Sequence, residues 1–185
     1  NLNPMKKLIL TIFALSSLTY GFSQSDMDWG MPYNAEKKAF IIEDVVNVDG
    51  VNKAELYKRA NDWITEYFTS GQKKIYERDV DQNFIKLKHR ISLFRTVKKE
   101  RVSDGLVEFH LEIYLKDGKF KYTFNNFRSV ADANSQPIEK WMDPTYGSKE
   151  TAIAKYTNLN SMIQEIIDNM KKYMQAGKKA ANTDF

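Results

Sequence analysis

The sequence contains no cysteine among its 185 residues, and this absence excludes several kinds of chemistry. Disulfide bonds, thiolate nucleophiles and zinc sites built on cysteine all require a thiol. A lipid-carrying cysteine, of the kind that anchors bacterial lipoproteins, is not expected either. Stability must therefore come from a hydrophobic core, and a chain this long buries roughly 70% of its unfolded surface.

Catalytic motifs are also missing. The eight glycines are scattered, and the sequence contains no G-x-S-x-G, no H-E-x-x-H, no P-loop and no G-x-G-x-x-G. The only histidines are His89 and His110, and strand alternation predicts them on opposite faces of a sheet, so a Ser–His–acid triad is not expected. We expect no cofactor and no enzymatic activity. Paired carboxylates, whose partners can be distant in sequence, keep a small hydrolase or lyase open as an alternative.

Long apolar runs are absent except near the N-terminus. Residues 8–18, LILTIFALSSL, form an apolar segment that follows Lys6 and Lys7 and is too short to span a bilayer. Small residues follow at Gly21 and Ser23, with the spacing of a signal-peptidase site. The sequence therefore predicts a signal peptide.

We expect this signal peptide to cover residues 1–23, with cleavage between Ser23 and Gln24. Residues 1–4 precede Met5, a natural start, and are interpreted as an upstream extension. The mature protein is expected to be exported, with a periplasmic location. No later segment is apolar enough to predict a transmembrane span.

Strong net charge is lacking as well. Removing residues 1–23 takes away Lys6 and Lys7 and no acidic residue, so the formal charge falls from +4 to +2. A protein that binds duplex nucleic acid needs a surface that neutralises several phosphates. Nucleic acid is therefore not an expected partner.

Hydrophobic patterning divides the remaining chain into three parts. Residues 24–38 show no periodicity and are interpreted as a flexible leader. Residues 39–176 carry the patterned elements of a single domain, and residues 177–185 are interpreted as a frayed tail. No internal repeat is evident.

The patterned part predicts a strand, a helix, four strands and a second helix. The first strand covers residues 39–48, and Asn52 caps a helix that begins near Lys53. The later strands and the last helix are predicted at residues 73–80, 84–94, 106–116, 119–127 and 149–176. This order favours an α+β fold, in which two helices pack on one face of a five-stranded antiparallel sheet.

The segment YLKDGKFKYTFNNF, residues 114–127, predicts a β-hairpin. Asp117-Gly118 suits a type I′ turn, whose two central residues both need positive φ. A two-residue loop fixes the register and places three apolar pairs on one side, namely Leu115–Phe120, Ile113–Tyr122 and Leu111–Phe124. That side is expected to meet the helices.

The opposite side of the predicted sheet is polar, and we treat it as a candidate binding face. Its members are Lys86, Lys88, Arg90, Glu108, His110, Glu112, Lys121 and Asn125. A basic strand beside an acidic one is also the usual pattern of a solvated sheet face, so solubility alone is the other interpretation. Glu108, His110 and Glu112 alternate on an open strand and make a poor closed metal site, so no metal is expected.

Residues 128–148 form a polar stretch that contains two aromatic side chains, Trp141 and Tyr146. Exposed aromatic residues are enriched at protein–protein interfaces, so this stretch is a second candidate interaction site. The other interpretation is that both side chains pack over the helices.

Two segments resemble a known protein family. VNVDGVNKAELYKRANDWITEYF and LEIYLKDGKFKYTFNNF are similar to a bacterial secreted family of unknown function, described as having a TATA-binding-protein-like (TBP-like) fold. The resemblance covers residues 40–127. It implies a strand, a helix, four strands and a helix, like half of the TATA-binding saddle, and it implies no activity.

Together these observations favour a non-enzymatic binding or adaptor module of the periplasm or cell envelope. Its expected partner is a protein or an envelope component. A structural, oligomerising envelope protein is a further alternative, because Tyr156, Leu159, Ile163, Ile166, Met170 and Tyr173 form a short heptad-like stripe.

Overall fold

The computed structural model describes residues 28–68, 74–79, 83–131 and 134–176, with only the backbone for residues 74–78. The predicted signal peptide, residues 24–27 of the predicted leader and the predicted tail lie outside the described residues. Within the described ranges the strands are β1 (Tyr33–Asn34), β2 (Ala39–Phe40), β3 (Ile42–Asn47), β4 (Lys74–Asp79), β5 (Phe84–Val97), β6 (Glu100–Lys116), β7 (Lys119–Ala131) and β8 (Asn134–Pro137). The α-helices are α1 (Lys53–Tyr67) and α2 (Lys149–Ala176), and short 3₁₀ helices cover Ile138–Met142 and Pro144–Tyr146.

The main sheet is antiparallel and has the strand order β3-β7-β6-β5-β4. The short strand β8 pairs with the end of β7, and β1 pairs with β2 in a separate two-stranded sheet. Helices α1 and α2 pack against each other and against the apolar face of the main sheet. The predicted α+β fold is therefore confirmed, with β8 as a short addition to the five predicted strands.

Helix α1 begins at the predicted cap. The Asn52 side chain accepts a hydrogen bond from the Glu55 backbone N–H at 2.9 Å, which satisfies one of the free donors of the first turn. The apolar face of the helix is buried, and the Trp63 indole N–H donates to Asn169 of α2 at 2.9 Å. The two helices are thus joined by a polar contact as well as by packing.

The β6–β7 hairpin has the predicted register. All three apolar pairs are present, and all six side chains are buried: Leu111, Ile113, Leu115, Phe120, Tyr122 and Phe124. The turn also contacts α1, because the Asp117 carboxylate accepts the Lys53 backbone N–H at 2.7 Å. The hairpin end is therefore fixed to the start of the helix.

Strands β5 and β6 extend further than predicted. Residues 95–105 were expected to connect two strands, whereas they continue both strands to a two-residue turn at Lys98 and Lys99. These lysines have φ of 49° and 72°, a conformation that usually selects Asn-Gly. The segment is largely exposed, so the sequence shows no buried face that would indicate a strand.

Residues 28–38 pack against the domain, although the sequence shows no periodicity there. Met31 is buried, and the Trp29 ring lies 6.0 Å from the Tyr156 ring of α2. Gly30 sits so close to Thr157 that an added Cβ would lie 2.1 Å from the threonine Oγ1. Single anchoring residues leave no repeating pattern, which is why the folded part begins before the predicted boundary at Ala39.

Helix α2 buries its apolar stripe inside the protein. The buried side chains include Tyr156, Leu159, Ile163, Ile166, Met170 and Tyr173. The stripe therefore covers the chain's own sheet, in agreement with the predicted packing of two helices on one sheet face. Neither helix in the described part of the chain is long and apolar enough to cross a bilayer.

Candidate functional site

The face of the main sheet opposite the helices, called the open face here, carries every residue of the predicted binding face. Strand pairing places Lys86 opposite Glu112 and Arg90 opposite Glu108, as the sequence predicted for neighbouring basic and acidic strands. On the other side of β6, Tyr114 lies opposite Lys121. The open face has two halves with different properties.

The first half, over β5 and β6, is an ion-pair lattice. Lys86 pairs with Glu112 at 2.7 Å, and Glu108 accepts from both Lys88 at 2.9 Å and Arg90 at 2.8 Å. Glu108 is buried beside these two partners, with only 6% of the residue exposed. Each of these five charges therefore already has an opposite charge beside it.

The electrostatics of Glu108 do not suit a general acid. Burial raises its pKa, but the hydrogen bonds and positive charges of Lys88 and Arg90 outweigh burial and hold the pKa below its ordinary value. A general acid at neutral pH needs a raised carboxyl pKa. Glu108 is thus a stable anion that organises two cations.

The two histidines lie on opposite faces, as predicted. His110 is on the open face, 3.2 Å from the Asn126 side-chain amide, and burial together with Lys86 lowers its pKa. His89 is buried on the core face, with its ring 4.6 Å from the Phe68 ring. Among the described residues, no group of three or more His, Asp or Glu side chains is arranged to hold a metal ion.

The second half of the open face, over β3, β7 and the end of β6, forms a groove of about 610 Å³. Its apolar lining includes Ile41 and two well-exposed side chains, Val45 and Tyr114, which are 52% and 44% exposed. Tyr114 is held in place by Phe84 on the neighbouring strand, with ring centroids 4.5 Å apart. Exposed apolar side chains beside a concave polar surface are typical of an interaction site.

Lysines surround this groove and differ in their pairing. Lys121 pairs with Glu43 at 2.8 Å, and this contact lowers the pKa of the Glu43 carboxyl. Lys116 and Lys119 lie directly opposite each other across the hairpin, and both are exposed. Within the described ranges neither forms an ion pair with a carboxylate. Asp117, between them in the sequence, instead accepts a hydrogen bond from α1.

The second predicted site, in residues 128–148, is less open than the sequence suggested. Trp141 is half-buried against Tyr156, with ring centroids 5.3 Å apart, so it packs over helix α2 as the alternative interpretation had it. Tyr146 is 53% exposed, and its hydroxyl donates to Gln136 at 2.7 Å. The two aromatic side chains therefore have different environments.

The groove brings together residues that the sequence reasoning did not select as a site. Glu112, Lys121 and Asn125 were predicted, but Val45, Lys116 and Lys119 were not. The position of β3 beside β7 could not be read from the sequence, so Val45 had no predicted neighbour. The hairpin register did predict the Lys116–Lys119 pair, and their like charge was the available signal.

Comparisons with known proteins agree with the fold. The family model described as a domain of unknown function (DUF4468) with TBP-like fold matches residues 43–129. A DUF4468 family protein from Bacteroides ovatus ATCC 8483 has a similar structure, with a TM-score of 0.64 and 12% identity over 80% of this chain and 92% of that chain. A TBP-like protein from Parabacteroides distasonis ATCC 8503 has a TM-score of 0.64 and 9% identity over 80% of this chain and 99% of that chain.

These identities are low enough that the two structures support the fold alone. Among curated proteins, none matches this chain significantly. The resemblance predicted from the sequence is confirmed: residues 43–129 match the DUF4468 family of unknown function, and the chain has the TBP-like fold of that family.

Proposed function

We propose that this chain is an exported, non-enzymatic module of the bacterial cell envelope that binds a partner on its open face. The observation that carries the proposal is the groove, where exposed Val45 and Tyr114 share a surface with Lys116 and Lys119, which form no ion pair with a described carboxylate. A surface used only for solubility has no need of an exposed aromatic ring next to unpaired like charges.

The carboxylates of the open face support binding over catalysis. Glu108 and Glu112 are each engaged by cations, and Glu43 is engaged by Lys121. The pKa values of Glu43 and Glu108 both lie below the ordinary value, so neither is prepared to donate a proton at neutral pH. A hydrolase or lyase would need at least one carboxyl with the opposite shift.

Export is supported by the basic, apolar and small-residue pattern of residues 1–23. An exported chain without cysteine keeps its fold in an oxidising compartment without any disulfide. The long helix does not offer its apolar stripe to another chain, which argues against a purely oligomerising role.

A site-specific photo-crosslinking experiment tests the proposal. A photoreactive phenylalanine analogue replaces Tyr114 in one variant and Tyr146 in another, and each mature protein is irradiated in the envelope fraction of its own cells. Both side chains are exposed tyrosines, so they form a matched pair. We expect a discrete crosslinked product from position 114 and a weaker product or none from position 146.

A product at position 146 alone would move the binding site to the polar stretch of residues 128–148. No product at either position would contradict the binding function. Hydrolysis or elimination of an envelope component by the purified mature chain, abolished by Glu108→Gln, would replace the proposal with the enzymatic alternative.

A further inference from the structure

We infer that the groove receives an extended acidic segment of a partner protein, an inference that rests on the proposed function. The segment's carboxylates would pair with Lys116 and Lys119, and an apolar side chain beside them would rest on Val45 and Tyr114. The partner is thus identified by its chemistry, as a short peptide stretch with acidic residues next to an apolar one.

Charge complementarity is the main support for an acidic partner. On the open face, Lys86, Lys88, Arg90 and Lys121 each pair with a carboxylate at 2.7–2.9 Å. Lys116 and Lys119 depart from this pattern, because they are cross-strand neighbours of the same sign and form no ion pair with a described carboxylate. Like charges directly opposite each other destabilise a sheet, and a bound carboxylate removes that cost.

The apolar part of the groove selects for more than charge. Tyr114 lies two pairs along the hairpin from Lys116, on the same face, and Val45 lies opposite Lys121 on the neighbouring strand. An apolar side chain placed there contacts an aromatic ring that Phe84 already holds, so little side-chain entropy is lost on binding. A simple inorganic anion would leave this surface unused.

The dimensions of the groove suit an extended chain. From Lys119 to Asn125 the groove follows β7 for about 20 Å, at roughly 3.3 Å per residue, which is the length of six or seven extended residues. The site is concave and has a polar side chain at its far end, where Asn125 can hydrogen-bond a peptide backbone. A flat lipid surface could not follow such a groove.

The test is selection of peptides by the full mature chain. The probe is an array of acetylated and amidated eight-residue peptides whose positions vary among Asp, Lys, Leu, Phe, Ser and Gly. We expect the selected peptides to carry at least two acidic residues adjacent to Leu or Phe. The dissociation constant of the best peptide is then measured for wild type and for variants of the groove.

The variants distinguish an effect of the groove lysines from an effect of the protein's overall charge. Lys116→Glu with Lys119→Glu should weaken binding by about tenfold or more, whereas Lys98→Glu with Lys99→Glu, the same charge change at another hairpin turn, should change it by less than about twofold. Lys116→Arg with Lys119→Arg should retain binding. Tyr114→Ala should weaken binding, and Tyr146→Ala should not. Lys116→Gln with Lys119→Gln serves as a second variant if the glutamates disturb folding.

Selection of peptides without acidic residues would overturn the inference, and so would equal losses in the two charge-reversal pairs. Failure of this inference is distinguishable from failure of the proposed function. If a partner crosslinks at position 114 and acidic peptides do not displace it, the proposed binding function is supported and the inference of an acidic segment is wrong. If no crosslink forms at position 114 and no peptide is selected, both the proposed binding function and the inference of an acidic segment are wrong.

Discussion

At the scale of single residues, Glu108 shows how the open face keeps its charges stable. It lies in β6 and is nearly buried, and Lys88 and Arg90 of the neighbouring strand β5 both pair with it. A covered carboxylate is favourable only while both cations hold it, because a buried charge without partners carries a large desolvation cost. The ion pairs of the lattice therefore satisfy its own charges, whereas the adjacent groove is the part of the open face that contains lysines without a described carboxylate partner.

Replacing Glu108 by glutamine should lower the free energy of unfolding by about 1–3 kcal/mol, because the amide cannot satisfy both cations. Chemical denaturation of the purified mature protein measures this change. Glu100→Gln, at an exposed position of the same strand, is the control and should have little effect. Equal effects of the two substitutions would show that the Glu108 contacts contribute nothing specific.

The lowered pKa of Glu108 predicts a pH dependence with a definite sign. Since the folded-state pKa lies below that of the unfolded chain, the stability contributed by this carboxylate is fully present above the ordinary glutamate value, about 4.3. It is lost as the pH falls through the folded-state pKa. The stability difference between wild type and Glu108→Gln should therefore shrink when the pH is lowered from 7 to 3. A constant difference would contradict this account.

At the scale of elements, the sequence predicted the β6–β7 hairpin. It did not predict where β5 and β6 meet or that β8 is a strand. Asp117-Gly118 is a strong turn signal, and alternation on both sides fixes the register. The turn at Lys98 and Lys99 carries no such signal, so the extension of β5 and β6 was missed. The strand β8 contains Pro137 and is exposed throughout, which gives it neither of the patterns by which strands are predicted.

The packing of residues 28–38 against α2 can be tested with a pair of glycines. Gly30 and Gly50 have φ of 76° and 77°, so an alanine is strained to a similar degree at both. At Gly30 the new Cβ would also collide with Thr157, whereas nothing lies within 4 Å at Gly50. Gly30→Ala should therefore destabilise the protein by about 1 kcal/mol or more beyond Gly50→Ala.

Thermal or chemical unfolding of the two alanine variants measures this difference. Equal destabilisation would mean that the segment before β2 contributes no packing energy at Gly30, and that the domain effectively begins at Ala39 as the sequence suggested.

At the scale of the whole molecule, the sequence predicted the helix and sheet layers and the polar face of the sheet. It did not predict that this face is divided into an ion-pair lattice and a groove. The basic and acidic strands were recognised as neighbours, and their ion pairs are present. The groove depends on β3 lying beside β7, a long-range pairing that local patterns do not encode. For this reason Lys121 and Asn125 were predicted while Val45 was not.

The proposed export makes a prediction about the N-terminus of the mature chain. Expression of the full sequence in a bacterium with a general secretion pathway should yield a periplasmic protein whose N-terminal sequence begins at Gln24. Subcellular fractionation and N-terminal sequencing measure this. Ser23→Arg should slow processing, because signal peptidase needs a small residue there. An uncleaved cytoplasmic product from the unaltered sequence would contradict the predicted export.

The most direct test of the open face as a binding site is quantitative capture of envelope proteins by three forms of the mature chain. These are the wild type, Lys116→Glu with Lys119→Glu, and Lys98→Glu with Lys99→Glu. The account predicts that one partner is recovered equally by the wild type and the Lys98/Lys99 variant and is lost from the Lys116/Lys119 variant. Equal recovery by all three forms would contradict it and would leave the groove lysines as a means of solubility.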